Sequence, residues 1–268
     1  MQAVLTEHEF TQIQTLLYDI AGINLSPAKK ALVTGRLARR LQHYGLSSYS
    51  EYFQLLQNAQ TRPELQVAID LLTTNETYFF REPKHFDLLR DTIVPQLLPL
   101  SRPLRIWSGA CSSGEEVYSI AMVLAETLGD RPWEIIGSDI STRMLERARS
   151  GHYPLERAED IPQHYLSRYC LRGVGSQDGT FLIERALRSR VQIQQINLNT
   201  TLPRLGDFDV IFLRNVMIYF DQPTKRQVVS RMLPLLRSGG YFLVSHSESL
   251  NGVTNALKLV SPSVYRKP

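Results

Sequence analysis

At 268 residues the chain can hold one large α/β domain and a small appended one, and its 43% hydrophobic and 21% charged content excludes a disordered or fibrous chain. A formal charge of +4 is too small to imply strong nonspecific binding to nucleic acid. Cys111 and Cys170 have no metal-ligand spacing and cannot build a disulfide framework, and no apolar stretch resembles a signal peptide or spans a bilayer. The expectation is a cytoplasmic protein in a reducing compartment, with no metal and no direct membrane insertion.

From Thr6 to about Leu72 the pattern is helical. Phe10, Ile13, Leu16, Leu17 and Ile20 recur at helical spacing, and Gly22 ends that run. A second helix is expected after Ser26-Pro27, with the serine as cap and the proline in the first turn. It carries Lys29, Lys30, Arg36, Arg39 and Arg40 without an acidic residue between Ala28 and Leu41, although residues 1–80 together hold six Lys/Arg and seven Asp/Glu. Such a run reads either as a solvated face or as a dock for an acidic helix or nucleic acid, and charge alone does not choose. Two short helices, 49–58 and 63–72, complete a bundle. The next stretch, LLTTNETYFFREPKHFDLL, crowds Thr73, Thr74, Asn75 and Thr77 against Phe79, Phe80 and Arg81, ahead of a helix marked by Glu82-Pro83. Such a density of hydrogen-bonding groups beside bulky aromatics suggests a site-lining segment more than a plain linker.

Residues 104–116, LRIWSGACSSGEE, read as a buried strand, a tight turn and the start of a helix. This order brings backbone N–H groups and a helix N-terminus to the carboxyl end of a strand, where α/β sheets bind nucleotide-like ligands. Gly109 and Gly114 have no third glycine in register, and Glu115 and Glu116 oppose a phosphate. A phosphate-free ligand with a cationic centre and ribose hydroxyls fits better, and S-adenosylmethionine has both. An ordinary βα turn whose acids complement the helix dipole is the plainer alternative.

WEIIGSDI is a second strand, and its terminal Asp139 suits a pair of ribose hydroxyls, while Ser141 caps the following helix. Between 153 and 190 the rhythm breaks, and the glycine-rich stretch 173–179 reads as a hairpin, either a partner surface or a decoration. The alternation then resumes. A strand ends at Asn197, another runs up to Arg214-Asn215, and a helix over 224–236, the strand YFLVSHSES and a final edge strand over 263–267 follow. Ser108, Asp139, Asn197 and Arg214 then fall on one rim of a parallel sheet.

In this order LTTNETYFFRE, WSGACSSGEEVYSIAM, GSDIS, the glycine-bearing insert and FLRNVMIYFD resemble the CheR-type chemotaxis receptor methyltransferases, which methylate glutamate side chains of methyl-accepting chemotaxis proteins. The resemblance covers nearly the whole chain. It implies a helical N-terminal domain at 1–74, a linker lining the site at 75–90, and a Rossmann-like S-adenosylmethionine-dependent methyltransferase domain at 91–268 with an antiparallel β insert at about 153–190. It implies that S-adenosylmethionine is held by Asn75, Thr77, Arg81, Glu116, Asp139, Asn197, Leu198, Arg214 and Asn215, that Arg81 and Tyr219 are catalytic residues close to the reacting centre, and that S-adenosylhomocysteine is the product. The implied partners are the cytoplasmic region of chemotaxis receptors, met by Arg36, Arg39 and Arg40, and the receptor's C-terminal tail peptide, docked around Gly173, Gly175 and Gly179. A monomer that takes no nucleic acid is expected. Two other readings compete. A nucleic-acid methyltransferase of the same fold is opposed by Arg214-Asn215-Val216-Met217, which stands where such enzymes commonly carry Asn/Asp-Pro-Pro-aromatic. A non-catalytic S-adenosylmethionine-sensing adaptor needs the same cofactor residues.

Overall fold

The structure, a computed structural model, describes residues 3–98 and 102–268. Its first part is a bundle of α1 (Glu7–Ala21), α2 (Lys30–Tyr44), α3 (Tyr49–Gln57) and α4 (Arg62–Leu72). Capping boxes start two of these helices, Thr6 with Glu9 at α1 and Ser48 with Glu51 at α3, and Gly22 and Gly45 stop α1 and α2 in the left-handed conformation. Ser26 does not cap α2 as the sequence suggested. A 3-10 turn over Pro27–Lys29 intervenes, and α2 begins at Lys30. Phe10, Ile13, Leu17, Val33, Leu37 and Tyr52 fill the space between these helices.

A broken helix follows, α5 (Lys84–Leu88) and α6 (Val94–Leu97) joined by a π turn over Leu89–Ile93. Then come β1 (Leu104–Gly109), α7 (Glu115–Leu128), β2 (Trp133–Asp139) and α8 (Thr142–Ser150), the first two strand-helix units. The insert supplies β3 (His152–Pro154), α9 (Gln163–Tyr169), β4 (Cys170–Arg172) and β5 (Thr180–Ile183). These strands form a separate antiparallel sheet in the order β3-β5-β4. The glycine-rich hairpin expected from the sequence is the β4–β5 connection. The chain ends with α10 (Arg185–Arg188), β6 (Val191–Gln195), β7 (Phe208–Leu213), α11 (Gln222–Met232), β8 (Leu236–Leu243), β9 (Lys258–Ser261) and β10 (Val264–Arg266).

The large sheet has the order β6-β2-β1-β7-β8-β10-β9. From β6 to β8 it is parallel, and β10 and β9 are antiparallel. All six residues of β7 are buried, because apolar layers cover both faces of the sheet. Strand order reverses between β1 and β7, so the crevice at their carboxyl ends is a topological switch point.

Three expectations need correction here. The helix expected to reach Leu236 ends at Met232. Pro234 lies in a 3-10 turn, and Arg237-Ser238-Gly239-Gly240 belong to β8, where the register against β7 shifts at a bulge. The chain's last strand is not the sheet edge, since β10 inserts between β8 and β9. Val264 and Tyr265 of β10 are buried, whereas Leu259 and Val260 of β9 face solvent. The strand expected to end at Asn197 stops two residues earlier.

The bundle is fastened to the sheet domain by Asp70 of α4. Its carboxylate accepts from the Thr142 N–H at 3.0 Å, the Thr142 hydroxyl at 2.7 Å and the Arg143 N–H at 3.2 Å, a carboxylate placed on the positive end of α8.

Candidate active site

Six non-glycine residues among those described have positive φ: Phe80, Glu82, Ala110, Ser112, Asn215 and Ser263. Ala110, Ser112 and Asn215 line one cavity, and Phe80 and Glu82 flank Arg81, which lines it too. Strained backbone concentrated at one place is the mark of a site held in shape by its surroundings. The cavity measures about 330 Å³ and lies over the carboxyl ends of β1, β2 and β7, roofed by residues 21–32 of the bundle.

The turn after β1 leaves room only for its own glycine. A Cβ on Gly114 would lie 2.9 Å from the Ala148 Cβ and 3.0 Å from the Tyr153 hydroxyl. The two acids that open α7 diverge. Glu115 is buried away from the cavity, accepts from the Ser113 hydroxyl at 2.7 Å and lies 3.7 Å from Arg157, and burial pushes its carboxyl up. Glu116 lines the cavity. It accepts from the Ser108 hydroxyl at 2.7 Å and from Arg214 Nη1 at 2.8 Å.

Asp139, at the end of β2, is 7% exposed and is braced on both oxygens, by the Ser112 N–H at 2.8 Å and the Ser141 N–H at 2.9 Å. Burial raises its pKa against the pull of these donors. Each oxygen keeps a second lone pair for a ligand hydroxyl. Arg214 is buried between two carboxylates. Nη1 donates to Glu116, while Nη2 donates to the Arg81 carbonyl at 2.5 Å and lies 3.1 Å from Glu82; Nε has no partner. Burial alone would raise the Glu82 carboxyl, but the Arg214 guanidinium holds it below its ordinary value.

Arg81 is half-buried, with Nη1 donating to the Glu76 carbonyl at 2.9 Å and the guanidinium 5.5 Å from the Tyr78 ring centre. Tyr219, half-buried on the 3-10 turn Met217–Tyr219, borders the same cavity. Asn75, Thr77, Asn197, Leu198 and Asn215 also line it. Several of their polar atoms are already engaged. Asn75 donates to Thr73 Oγ1, and Asn197 Nδ2 donates to the Ile20 carbonyl at 2.6 Å, so Asn197 ties the end of α1 to the sheet as well as bordering the cavity.

S-adenosylmethionine fits this lining. Two carboxylates, Asp139 at the tip of β2 and Glu116 in the first turn of α7, suit a ribose diol and an ammonium or sulfonium, Ile140, Ile196 and Leu198 offer an apolar wall, and the acids disfavour a phosphate. Residues 75–266 match the family model described as CheR methyltransferase, SAM binding domain, and residues 8–73 match CheR methyltransferase, all-alpha domain. The chain belongs to the CheR methyltransferase family. It is 44% identical over 263 residues to "Chemotaxis protein methyltransferase 2" of Pseudomonas aeruginosa, covering 97% of this chain and 93% of that one. It is 42% identical over 266 residues to "Chemotaxis protein methyltransferase" of Escherichia coli, covering 97% and 91%. At 36% identity over 273 residues, "Chemotaxis protein methyltransferase" of Borreliella burgdorferi covers 98% and 95%.

In this CheR chain the three arginines expected to meet a receptor have separate surroundings. Arg40 is engaged within the bundle. Its guanidinium makes a two-pronged bond to the buried Glu64, at 2.8 and 2.5 Å, because Glu64 needs a counter-ion there. Arg36 donates to the carbonyls of Leu72 and Thr73 at the end of α4. Arg39 alone among the three is exposed. In the CheR insert, a Cβ on Gly173 would lie 2.0 Å from the Gln177 carbonyl oxygen, so this glycine shapes the hairpin, and Gly175 and Gly179 adopt positive φ in the same connection. The exposed large apolar side chains there are Leu171 and Val174.

Sequence reasoning missed Glu248, which holds the Arg214–Tyr219 loop of this CheR fold by accepting from the N–H groups of Asn215 at 3.0 Å and Ile218 at 3.3 Å. Its signal was the Ser245-x-x-Glu248 spacing, since Glu248 also accepts from the Ser245 N–H at 2.9 Å. It also missed Glu82, His85 and His246, which come together beside Arg214.

Proposed function

We infer that this chain transfers the methyl group of S-adenosylmethionine to glutamate side-chain carboxylates of chemotaxis receptors, giving glutamate methyl esters and S-adenosylhomocysteine. The observation that carries this reading is that Arg81 and Tyr219, from distant segments, line the cavity that the tips of β1, β2 and β7 also form. The printed names of the relatives, chemotaxis protein methyltransferases, support the receptor as substrate.

S-adenosylmethionine supplies an electrophilic methyl group activated by a sulfonium. A glutamate carboxylate with an ordinary pKa of about 4.3 is already ionised at neutral pH, so the site needs no general base. No histidine is among the described residues lining the cavity, which accords with that requirement. The task left to the protein is alignment and removal of water. Arg81 holds one oxygen of the incoming carboxylate and leaves the other free to attack, because binding both oxygens would stabilise the ground state equally. Tyr219 donates to the same carboxylate or packs beside the cationic centre. Ile23, Leu32, Val216 and Phe220 supply apolar walls that keep water from the reacting atoms. Glu116, fixed by Ser108 and Arg214, meets the ammonium end of the donor, and Asp139 its ribose.

The test is incubation with methyl-labelled S-adenosylmethionine and receptor-bearing membranes. The expected result is base-labile label on receptor glutamates, located by mass spectrometry. Label appearing in RNA or DNA, or cofactor binding without any transfer, overturns the reading in favour of a nucleic-acid enzyme or a sensing adaptor respectively.

A further inference from the structure

Outside the cavity, Glu82, His85 and His246 bring three ligand atoms within 4.8 Å of one another. Glu82 and His85 stand at the start of α5, His246 just after β8, and Ser263 between β9 and β10. The protons of this cluster can be assigned from its hydrogen bonds. Ser263 donates its hydroxyl to the Pro262 carbonyl at 2.6 Å, so toward its other neighbours it acts only as an acceptor. Those neighbours are His85 Nε2 at 2.8 Å and His246 Nδ1 at 3.1 Å. Each of these nitrogens therefore carries its ring proton. The opposite nitrogens, His85 Nδ1 and His246 Nε2, are bare lone pairs, and both face the Glu82 carboxylate, at 3.3 and 4.0 Å from Oε2.

Two imidazole lone pairs aimed at an anion have no proton between them to share. His85 is 2% exposed, and its Nδ1 has no hydrogen-bond partner in the protein. Leaving a buried polar atom in that state is costly unless something else binds it. A cation meets all three groups at once.

We propose that Glu82, His85 and His246 form a binding site for a divalent transition metal ion of the zinc class. Two imidazoles and one carboxylate are a donor set that suits zinc. Bonds of about 2.0–2.2 Å in tetrahedral geometry put ligand atoms roughly 3.3 Å apart, so only small side-chain adjustments are needed. Ser263 is the outer-shell acceptor that fixes both ring tautomers. The His246 side chain is 43% exposed, which gives the ion a path in and a water as fourth ligand. The role is structural. The ion clamps the Phe80–Glu82 segment, where two positive-φ residues bracket Arg81, to the C-terminal strands behind the cofactor cavity.

The sequence argued against a metal only because its cysteines lack ligand spacing, and donors at 82, 85 and 246 leave no such local pattern. This site does not depend on the receptor substrate. The experiment uses the full chain without an affinity tag, stripped with chelator and dialysed. Zinc chloride titrated by calorimetry should bind at one ion per chain with a Kd below about 1 μM and raise the thermal midpoint by several degrees. Cobalt chloride should give the intense visible bands of a tetrahedral site. His246→Ala should lose the zinc heat and the bands, and Ser263→Ala should weaken binding about 10–100-fold. Absence of zinc binding and of cobalt bands in the wild-type chain, a result that needs no variant to fold, overturns the proposal. So does zinc affinity unchanged in a folded His246→Ala variant.

Discussion

Asn24 donates its backbone N–H to the Tyr219 carbonyl at 2.8 Å, which joins the segment leaving α1 directly to the residue expected at the reacting centre. Tyr18 adds a second link, its hydroxyl donating to Asp221 Oδ2 at 2.9 Å. The bundle therefore does more than roof the cavity, because it fixes the loop that carries Tyr219. With the backbone held in this way, Tyr219→Phe should keep the ring in place and lose only the hydroxyl. We expect turnover about 10-fold lower in Tyr219→Phe and about 100-fold or more lower in Tyr219→Ala, with S-adenosylhomocysteine affinity nearly constant. Single-turnover methyl transfer is the measurement. Equal losses would assign the whole effect to the hydroxyl.

Arg81 has a mobile role only if its bond to the Glu76 carbonyl can be exchanged for one to the substrate. Arg81→Ala is expected to cut turnover at saturating cofactor and receptor by about 100-fold or more, the cost of one lost charge-assisted contact in a water-poor site. Near-normal turnover would remove Arg81 from the reaction.

Glu116 is half-buried against the buried Arg214, so neutralising Glu116 leaves Arg214 with Glu82 as its one carboxylate partner. Glu116→Gln should weaken S-adenosylhomocysteine binding about 10–100-fold, by lost charge at the ammonium end and by a loosened Arg214. Calorimetric titration reads this, with circular dichroism to verify the fold.

The Arg40–Glu64 pair should act on stability and not on receptor binding. Burial alone would raise the Glu64 carboxyl, but Arg40 and the hydroxyls of Tyr52 and Tyr44 hold it below its ordinary value. The unfolded chain therefore takes up this proton at higher pH than the folded chain. The stabilisation is complete above the unfolded carboxyl pKa near 4.3 and is lost as pH falls through the lower folded value. Arg40→Met should cost about 1–3 kcal/mol at pH 7 in denaturant melts, and Glu64→Gln should flatten stability against pH below about 5. Arg39→Glu, on the exposed face, should leave stability within about 0.5 kcal/mol but weaken receptor binding in a salt-dependent way.

Neither thiol should react in the folded protein. Burial pushes Cys170 up to about 12 and Cys111 well above its ordinary value. Iodoacetamide at pH 7.5 is expected to modify both only after denaturation, as read by mass.

Local rules made much of this protein legible. Apolar periodicity marked the first bundle helix, the β1-turn-α7 unit announced itself through Gly109 to Glu116, and Asp139 stood at the end of an unmistakable buried strand. Those signals lie within one element or at its boundary, where spacing and capping operate. Other features depended on distant partners. β10 reads like an edge strand, but Val264 and Tyr265 are buried once β9 folds back beside it. Arg40 looked like part of a free basic face until Glu64, 24 residues away, took it as a counter-ion.

By itself, the sequence determined the element order, the acidic tip of β2 at Asp139 and the turn that suits a phosphate-free nucleoside, because those follow from local backbone preference and charge. Only the tertiary structure decided which charged groups stay free, where Arg214 sits between Glu82 and Glu116, and how His85, His246 and Ser263 share their protons. The physical reason is that the state of a buried polar group is set by what desolvates and pairs it, and those neighbours come from segments that spacing along the chain does not relate.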